Sequence, residues 1–256
     1  GAGAYLQASH WSPGGLEQRF ERFAHAIEAS LTDARPSDDV ETSAEALLGH
    51  RLLTHGWAPV RRGRVEMARR LVRWLHNAAE GLPTRLVDAV TAYTREGSFV
   101  DVARLVLLGG EQPAVLGGAY AKLLSRARER REQENERFGR LMADATASLP
   151  EAGHAIVPVE RVIDKVVAPV AEQQPVLLLV MDGLSLAVAH ELLPTITDIG
   201  WMPWKPEAVV GSDGPFTGLA AVPSVTEMSR TSLFCGTLVA GAAAAEKRGF
   251  AAHQAL

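Results

Sequence analysis

Two residues far apart in the sequence, Asp182 and Thr226, carry side chains suited to metal or phosphoryl chemistry. Asp182 follows the apolar run 176–181 and precedes Gly183, a pattern that predicts a strand buried on both faces of a parallel sheet. Open parallel sheets bind ligands at the carboxyl ends of their strands. We therefore expect the Asp182 carboxylate to bind a cation or a hydrogen-bonding ligand.

Thr226 lies in the segment 223–236, which predicts a turn from a short strand into a helix that ends at Gly236. Ser224 and Glu227 have the spacing of a capping box, and capping alone accounts for both. A hydroxyl in the first helical turn also lies at the positive end of the helix dipole, where free amides can bind phosphate. Beside a bound divalent cation, Thr226 could attack phosphorus; simple capping is the alternative.

Helical periodicity dominates residues 1–150, which we predict to be a helical domain. Short loops with Gly and Pro separate the periodic segments, which favours an antiparallel array. The predicted helices cover residues 16–31, 44–55, 64–79, 85–94 and 99–108. The charged stretch at about 121–149 predicts a long exposed helix, which is either a spacer or partner-binding face or simply a solvated helix.

Residues 151–256 have the texture of an α/β domain, so we place the domain boundary near residue 150. Helical spacing over 159–170 precedes the apolar run, and residues 185–193 predict a crossover helix that ends at Pro194. Further strands are predicted at 207–210 and 219–222. This order of elements implies a right-handed parallel unit.

Composition bounds the class of protein. The chain has 256 residues, 47% of them hydrophobic, enough for one large core or two modest ones. Its net charge of −4 gives no bulk attraction to nucleic acid or to an anionic membrane. A single cysteine, the lack of a signal-like segment and the short apolar runs predict a cytoplasmic protein without a membrane span.

The two motifs together resemble the alkaline-phosphatase superfamily. Its pyrophosphatase/phosphodiesterase branch has a strand-end Asp-Gly, as at Asp182, and a later Thr-containing segment that ends in a helix-capping glycine, as in 223–236. Within the superfamily, segments 177–185 and 222–233 are similar to the two leading motifs of the PglZ family of BREX phage-defence systems. The segment 246–250 fits the type 2 systems.

The resemblance implies a metal-dependent phosphoesterase or phosphodiesterase that acts through a phosphothreonine. Asp182 would ligate the first of two divalent metals, usually zinc with manganese or magnesium possible, and Thr226 would be the nucleophile that bridges both. Backbone amides around Glu227 and the side chain of Ser229 or Arg230 would hold a phosphate oxygen. The implied partners are other BREX defence proteins, with a nucleotide or nucleic acid as substrate.

The superfamily completes its metal site with further Asp and His residues. In this sequence one carboxylate, Glu246, and one histidine, His253, follow Glu227, so we expect a truncated, amino-terminal part of a phosphatase-like domain. Two ligands rarely hold zinc tightly, and the chain alone should be nearly inert as a hydrolase. The alternative is a non-catalytic scaffold that keeps the fold to bind other defence proteins, with the helical region as the docking surface.

Overall fold

The computed structural model describes residues 9–32, 38–54, 59–77, 81–145, 156–203 and 217–256. The chain divides into two compact units, Gly1–Leu141 and Met142–Leu256. A search of the described residues for a helix of sufficient length and apolarity to cross a membrane finds none.

The described part of the first unit is helical. Its helices are α1 (Pro13–Thr32), α2 (Asp38–Leu48), α3 (Arg51–Thr54), α4 (Pro59–Asn77), α5 (Leu86–Ala92), α6 (Ser98–Leu107) and α7 (Ala114–Ala145). Most begin and end within a few residues of the positions expected from periodicity. The predicted helix 44–55 is instead two helices, because the chain turns at Gly49 and His50. The charged stretch lies on α7 as far as Ala145, and residues 146–149 lie outside the described residues. The helix begins earlier than predicted, at an apolar segment.

The core of the first unit is built from residues three or four apart on facing helices, as amphipathic helices require. Phe23 and Ile27 of α1, Leu71 of α4 and Leu123 of α7 are fully buried in one cluster. Beside this core, the Glu111 carboxylate pairs with Arg61 at 3.0 Å and with Arg64 at 3.3 Å. These ion pairs tie the loop before α7 to α4.

A π-helical turn, Tyr93–Gly97, joins α5 to α6. A Cβ at Gly97 would lie 2.7 Å from the Tyr93 ring, so a glycine is needed for the ring to lie there. The Arg131 guanidinium of α7 lies over the Tyr93 ring, 5.3 Å from its centroid, and donates to Asp101 at 3.2 Å. The π turn is therefore anchored to both α6 and α7.

The described part of the second unit is also mostly helical, with a two-stranded parallel sheet. Its elements are β1 (Val157–Pro158), a 3₁₀ turn (Val159–Arg161), a π turn (Ile163–Val167), α8 (Ala168–Ala171), α9 (Leu186–Asp198), β2 (Gly218–Leu219), α10 (Thr226–Cys235) and α11 (Ala243–Ala251). Val157 pairs with Gly218, and Pro158 with Leu219.

The prediction of a buried strand at 176–181 is wrong. The segment forms no strand, and most of its side chains are exposed, with Leu177 at 82% and Leu179 at 72% of full exposure. An apolar run is buried on both faces only when neighbouring strands and covering helices pack against it, and the described residues do not place any there. The run therefore indicated strand character without determining whether a sheet would form around it.

The other predicted elements of this unit differ in extent. The crossover helix forms as α9 but continues through Pro194 to Asp198, so the proline does not end it. The predicted strand 219–222 is reduced to the two residues of β2. The predicted strand 207–210 lies outside the described residues.

Candidate functional site

Asp182 and Thr226 come together at one point of the second unit. The Thr226 hydroxyl donates to the Asp182 carboxylate, with 3.3 Å between Oγ1 and Oδ2. Asp182 follows the apolar run 176–181, and the chain then turns at Gly183. The φ of Gly183, 77°, is in the left-handed region that favours glycine. Thr226 is the first residue of α10. A turn and a helix start thus position the two side chains.

The first turn of α10 is open to a ligand. Val225 is the N-cap residue, and no side chain caps the helix. The predicted capping box at Ser224 and Glu227 is therefore wrong: the helix begins one residue later than the box requires, so the Ser224 hydroxyl is out of register with the free amides. Free amides at a helix start attract anions, and Thr226 lies among them.

Arg230 lies one turn after Thr226 and joins the site to a second helix. Its Nη1 is 3.2 Å from Asp182 Oδ2, the same oxygen that accepts from Thr226. Its Nε donates to Glu246 Oε1 of α11 at 2.9 Å. The hydrogen bond to Glu246 raises the pKa of Arg230 above its ordinary value, aided by the nearby charge of Asp182. Arg230 therefore presents a fixed positive charge beside Thr226.

Close packing of α10 against α11 holds Glu246 in place. A Cβ at Gly249 would lie 2.3 Å from Cys235 Sγ, so only a glycine permits this approach. Phe234 and Phe250 meet edge to face with ring centroids 5.6 Å apart. Gly236, with φ of 68°, ends α10 in the left-handed conformation that the sequence predicted.

The remaining residues with a predicted phosphate role lie on the same helix. Glu227 is exposed, and its carbonyl accepts the Gly241 amide at 3.0 Å. Ser229 Oγ is buried and has no hydrogen-bond partner among the described residues. Both residues are thus near Thr226 in sequence. Of the three residues with a predicted phosphate role, Arg230 is the one with a described contact to Asp182.

His253 lies at the other end of α10. A Cβ at Gly236 would contact its ring at 2.8 Å, and its Nε2 is 3.8 Å from Asp164 Oδ1. The helix from Thr226 to Cys235 has ten residues and is roughly 15 Å long. His253 therefore packs against the helix end that is remote from Thr226.

The ion pair of Glu246 with Arg230 was missed by sequence reasoning, which treated Glu246 only as part of a family motif and as a possible metal ligand. Sixteen residues separate it from Arg230, and the two lie on different helices. No helical period connects such positions. The glycines at 236, 241 and 249 were the available signal, because they mark a tight reversal between two closely packed helices.

Asp182 and Thr226 supply two oxygen donors of the kind that bind divalent cations. The described residues contain no group of three or more His, Cys, Asp or Glu side chains arranged to hold a metal ion. Comparison with models of known families, with curated proteins and with solved structures finds no match for this chain.

Proposed function

We propose that the second unit is part of an alkaline-phosphatase-like domain that hydrolyses a phosphoester, and that the chain acts in phage defence as a PglZ-type component of a BREX system. Thr226 is the proposed nucleophile and Asp182 the proposed metal ligand. The substrate class is a phosphodiester in a nucleotide or nucleic acid, and the proposed partners are other BREX proteins.

The contact between Asp182 and Thr226 is the observation that carries this proposal. The two residues come from motifs 44 positions apart, yet their side-chain oxygens lie 3.3 Å apart. The hydroxyl belongs to the first residue of a helix whose start has no side-chain cap. A nucleophile for phosphorus needs both features: an acidic neighbour that can share a cation and free amides that can accept phosphate oxygens.

The metal implied by the resemblance is a divalent cation, two zinc ions by preference or else manganese or magnesium. The donor set fits in kind, because a carboxylate oxygen and a hydroxyl oxygen meet at one point. Bound there, the cation would promote ionisation of the hydroxyl and neutralise charge on the phosphoryl group. Asp182 and Thr226 are the residues that would hold it.

In the proposed reaction, Thr226 Oγ1 forms a bond to phosphorus while the bond from phosphorus to the leaving oxygen breaks. The threonine proton passes to water, and the leaving oxygen takes a proton from water. A second water then attacks phosphorus, breaks the Oγ1–P bond and restores the hydroxyl. Arg230, anchored through Nε to Glu246, exchanges its Nη1 contact with Asp182 for a non-bridging phosphate oxygen.

The test is hydrolysis of bis-p-nitrophenyl phosphate by the complete natural protein that contains this chain, with zinc, manganese or magnesium. The comparison includes the 256-residue chain and Asp182→Asn and Thr226→Ala forms of the complete protein. We expect turnover by the complete protein only, abolished by chelator and by either substitution while the circular dichroism spectrum is retained. Full turnover by the Thr226→Ala form would refute the nucleophile assignment.

A non-catalytic scaffold is the second candidate, and one contact favours it. Arg230 already supplies a positive charge to Asp182 Oδ2, so this carboxylate has a partner without any metal. In a scaffold, the Asp182–Arg230 pair would serve the packing of α10. The hydrolysis test separates the two functions: a complete protein that is silent with every metal, yet still co-purifies with other defence proteins after Thr226→Ala, would favour the scaffold.

A further inference from the structure

A cavity in the first unit is lined by more positive than negative side chains, and it involves none of the residues of the proposed function. Its volume is about 260 Å³. It opens between the end of α4 and the start of α6, beside the π turn. Three guanidinium groups and one carboxylate line it, together with aromatic and amide side chains. The charged members are Arg70, Arg73, Arg95 and Glu96.

Two of these arginines have no carboxylate partner among the described residues. The guanidinium of Arg70 lies 4.4 Å from the centroid of the Phe99 ring, which holds it in a fixed plane. Arg95 is exposed on the π turn. Arg73 differs, because its Nε is 2.7 Å from Glu41 Oε1. Charge available for a ligand therefore comes mainly from Arg70 and Arg95.

The π turn is the second observation that points to a ligand. Single π turns within helices are rare and occur frequently at functional sites. This one places Arg95 and Glu96 on the cavity wall, and its geometry depends on the close approach of Gly97 to Tyr93. A regular α-helix over the same residues would direct the side chains of Arg95 and Glu96 away from this wall, because the rotation per residue about the helix axis differs between an α-helix and a π turn.

We propose that this cavity binds the phosphate group of a small phosphorylated molecule that also carries hydroxyl groups. Guanidinium groups bind phosphate through paired hydrogen bonds, and the fixed plane of Arg70 suits that geometry. Glu96 accepts from a hydroxyl of the organic part. The cavity is close to the lower end of the usual range for small-molecule sites, roughly 300–1,000 Å³, which favours a mononucleotide or sugar phosphate over a larger ligand.

The test is isothermal titration calorimetry of the whole chain with adenosine 5′-monophosphate, inorganic phosphate and adenosine. We expect the monophosphate to bind more tightly than inorganic phosphate, and adenosine to bind least. Arg70→Gln and Arg95→Gln should each weaken binding of the monophosphate about tenfold, the loss expected for one charged hydrogen-bond donor. Raised salt should weaken it further.

Arg126→Gln is the matched control, because Arg126 is an exposed arginine of α7 whose ion-pair partner among the described residues is its helical neighbour Glu129. It should bind the monophosphate as the unaltered chain does. Arg95→Gln keeps the test valid if Arg70→Gln is poorly folded, since Arg95 lies at the surface. Melting curves and circular dichroism report folding for each variant.

Three results would overturn the proposal. The first is failure of the unaltered chain to bind either phosphate compound with a Kd below about 1 mM, an affinity near −4 kcal/mol. The second is binding of adenosine as tight as that of its monophosphate. The third is an Arg95→Gln variant that binds the monophosphate as well as the unaltered chain does. Because no metal and no turnover enter this test, its failure would leave the proposed hydrolytic site untouched.

Discussion

Arg230 of α10 and Glu246 of α11 form an ion pair, with 2.9 Å between Nε and Oε1, that directs the remaining face of the guanidinium toward Asp182. The Glu246 side chain is only 11% exposed and that of Arg230 is 34% exposed. In the proposed reaction Glu246 is a positioning residue, because its ion pair restricts the rotation of Arg230 while the Nη1 atom stays near Asp182.

Glu246→Gln should raise KM for the phosphodiester in the complete protein several-fold, with a smaller effect on kcat. A neutral amide holds the guanidinium less strongly, so the phosphate oxygens lose part of one charged contact. Steady-state kinetics give the two constants. Glu172→Gln, an exposed carboxylate outside the site, is the control. A positioning role would be contradicted if Glu246→Gln changed KM and kcat no more than Glu172→Gln does.

A covalent intermediate should form on Thr226. Rapid acid quenching during turnover of a phosphorus-labelled substrate should leave label on the peptide that contains this residue. Thr226→Ser should retain some label and turnover, because it keeps a hydroxyl at the helix start, whereas Thr226→Ala should retain neither. Peptide mapping by mass spectrometry is the measurement. Label on another residue would contradict the assignment.

Gly249→Ala should destabilise the second unit by about 1–3 kcal/mol, the usual cost of overpacking a close contact. The added Cβ would meet Cys235 Sγ at 2.3 Å. Urea unfolding measures the loss. Gly118→Ala is the control, since a Cβ at this exposed position of α7 would meet nothing within 4 Å. It should stabilise the chain by about 0.5–1 kcal/mol.

Cys235→Ala provides the second arm of this test. Removing the sulfur takes away the closest of the atoms that the new methyl group would meet, while Cα and Cβ of residue 235 remain at 3.1 and 3.2 Å. The double variant should therefore lose less stability than the sum of the two single variants, as expected for residues in direct contact. If the double variant instead loses as much stability as the two single variants together, the cost of Gly249→Ala does not arise from contact with the Cys235 sulfur.

The free energy of unfolding of the first unit should fall as the pH is lowered, because His50 has a different pKa in the folded and unfolded chains. The ring is fully buried, and the Leu52 amide donates to its Nδ1 at 3.3 Å. Burial first, and then the charge of Arg19, lower the pKa of His50 below its ordinary value of 6.5. The unfolded chain then takes up this proton at a higher pH than the folded chain. The free energy of unfolding is therefore full above about pH 6.5 and falls below it, by at most about 1.4 kcal/mol per pH unit.

Urea unfolding between pH 7.5 and 5 measures this dependence. His50→Gln should flatten the fall in the free energy of unfolding, although its stability at neutral pH will be lower. His25→Gln changes an exposed histidine of α1 and should keep the slope of the unaltered chain. If the free energy of unfolding falls with decreasing pH as steeply in the His50→Gln variant as in the unaltered chain, His50 is not the source of this pH dependence.

The helices of the first unit could be predicted because their signal is local. Apolar residues three or four apart, as along α4, indicate both the helix and the face that it buries. The break between α2 and α3 was not predicted, because its glycine and histidine are compatible with a continuing helix. The π turn was missed as well, since it depends on the contact between Tyr93 and Gly97 across one turn.

In the second unit, neighbouring residues were enough to predict the left-handed end of α10 at Gly236, and two separate motifs suggested the pairing of Asp182 with Thr226. The folded chain showed that most side chains of residues 176–181 are exposed, that the capping box is out of register, and that Arg230 connects Asp182 to Glu246. The difference follows from the distance along the chain between the residues that interact. Helix ends and turns follow from neighbouring residues, whereas strand burial and ion pairs between helices depend on segments that meet only when the chain has folded.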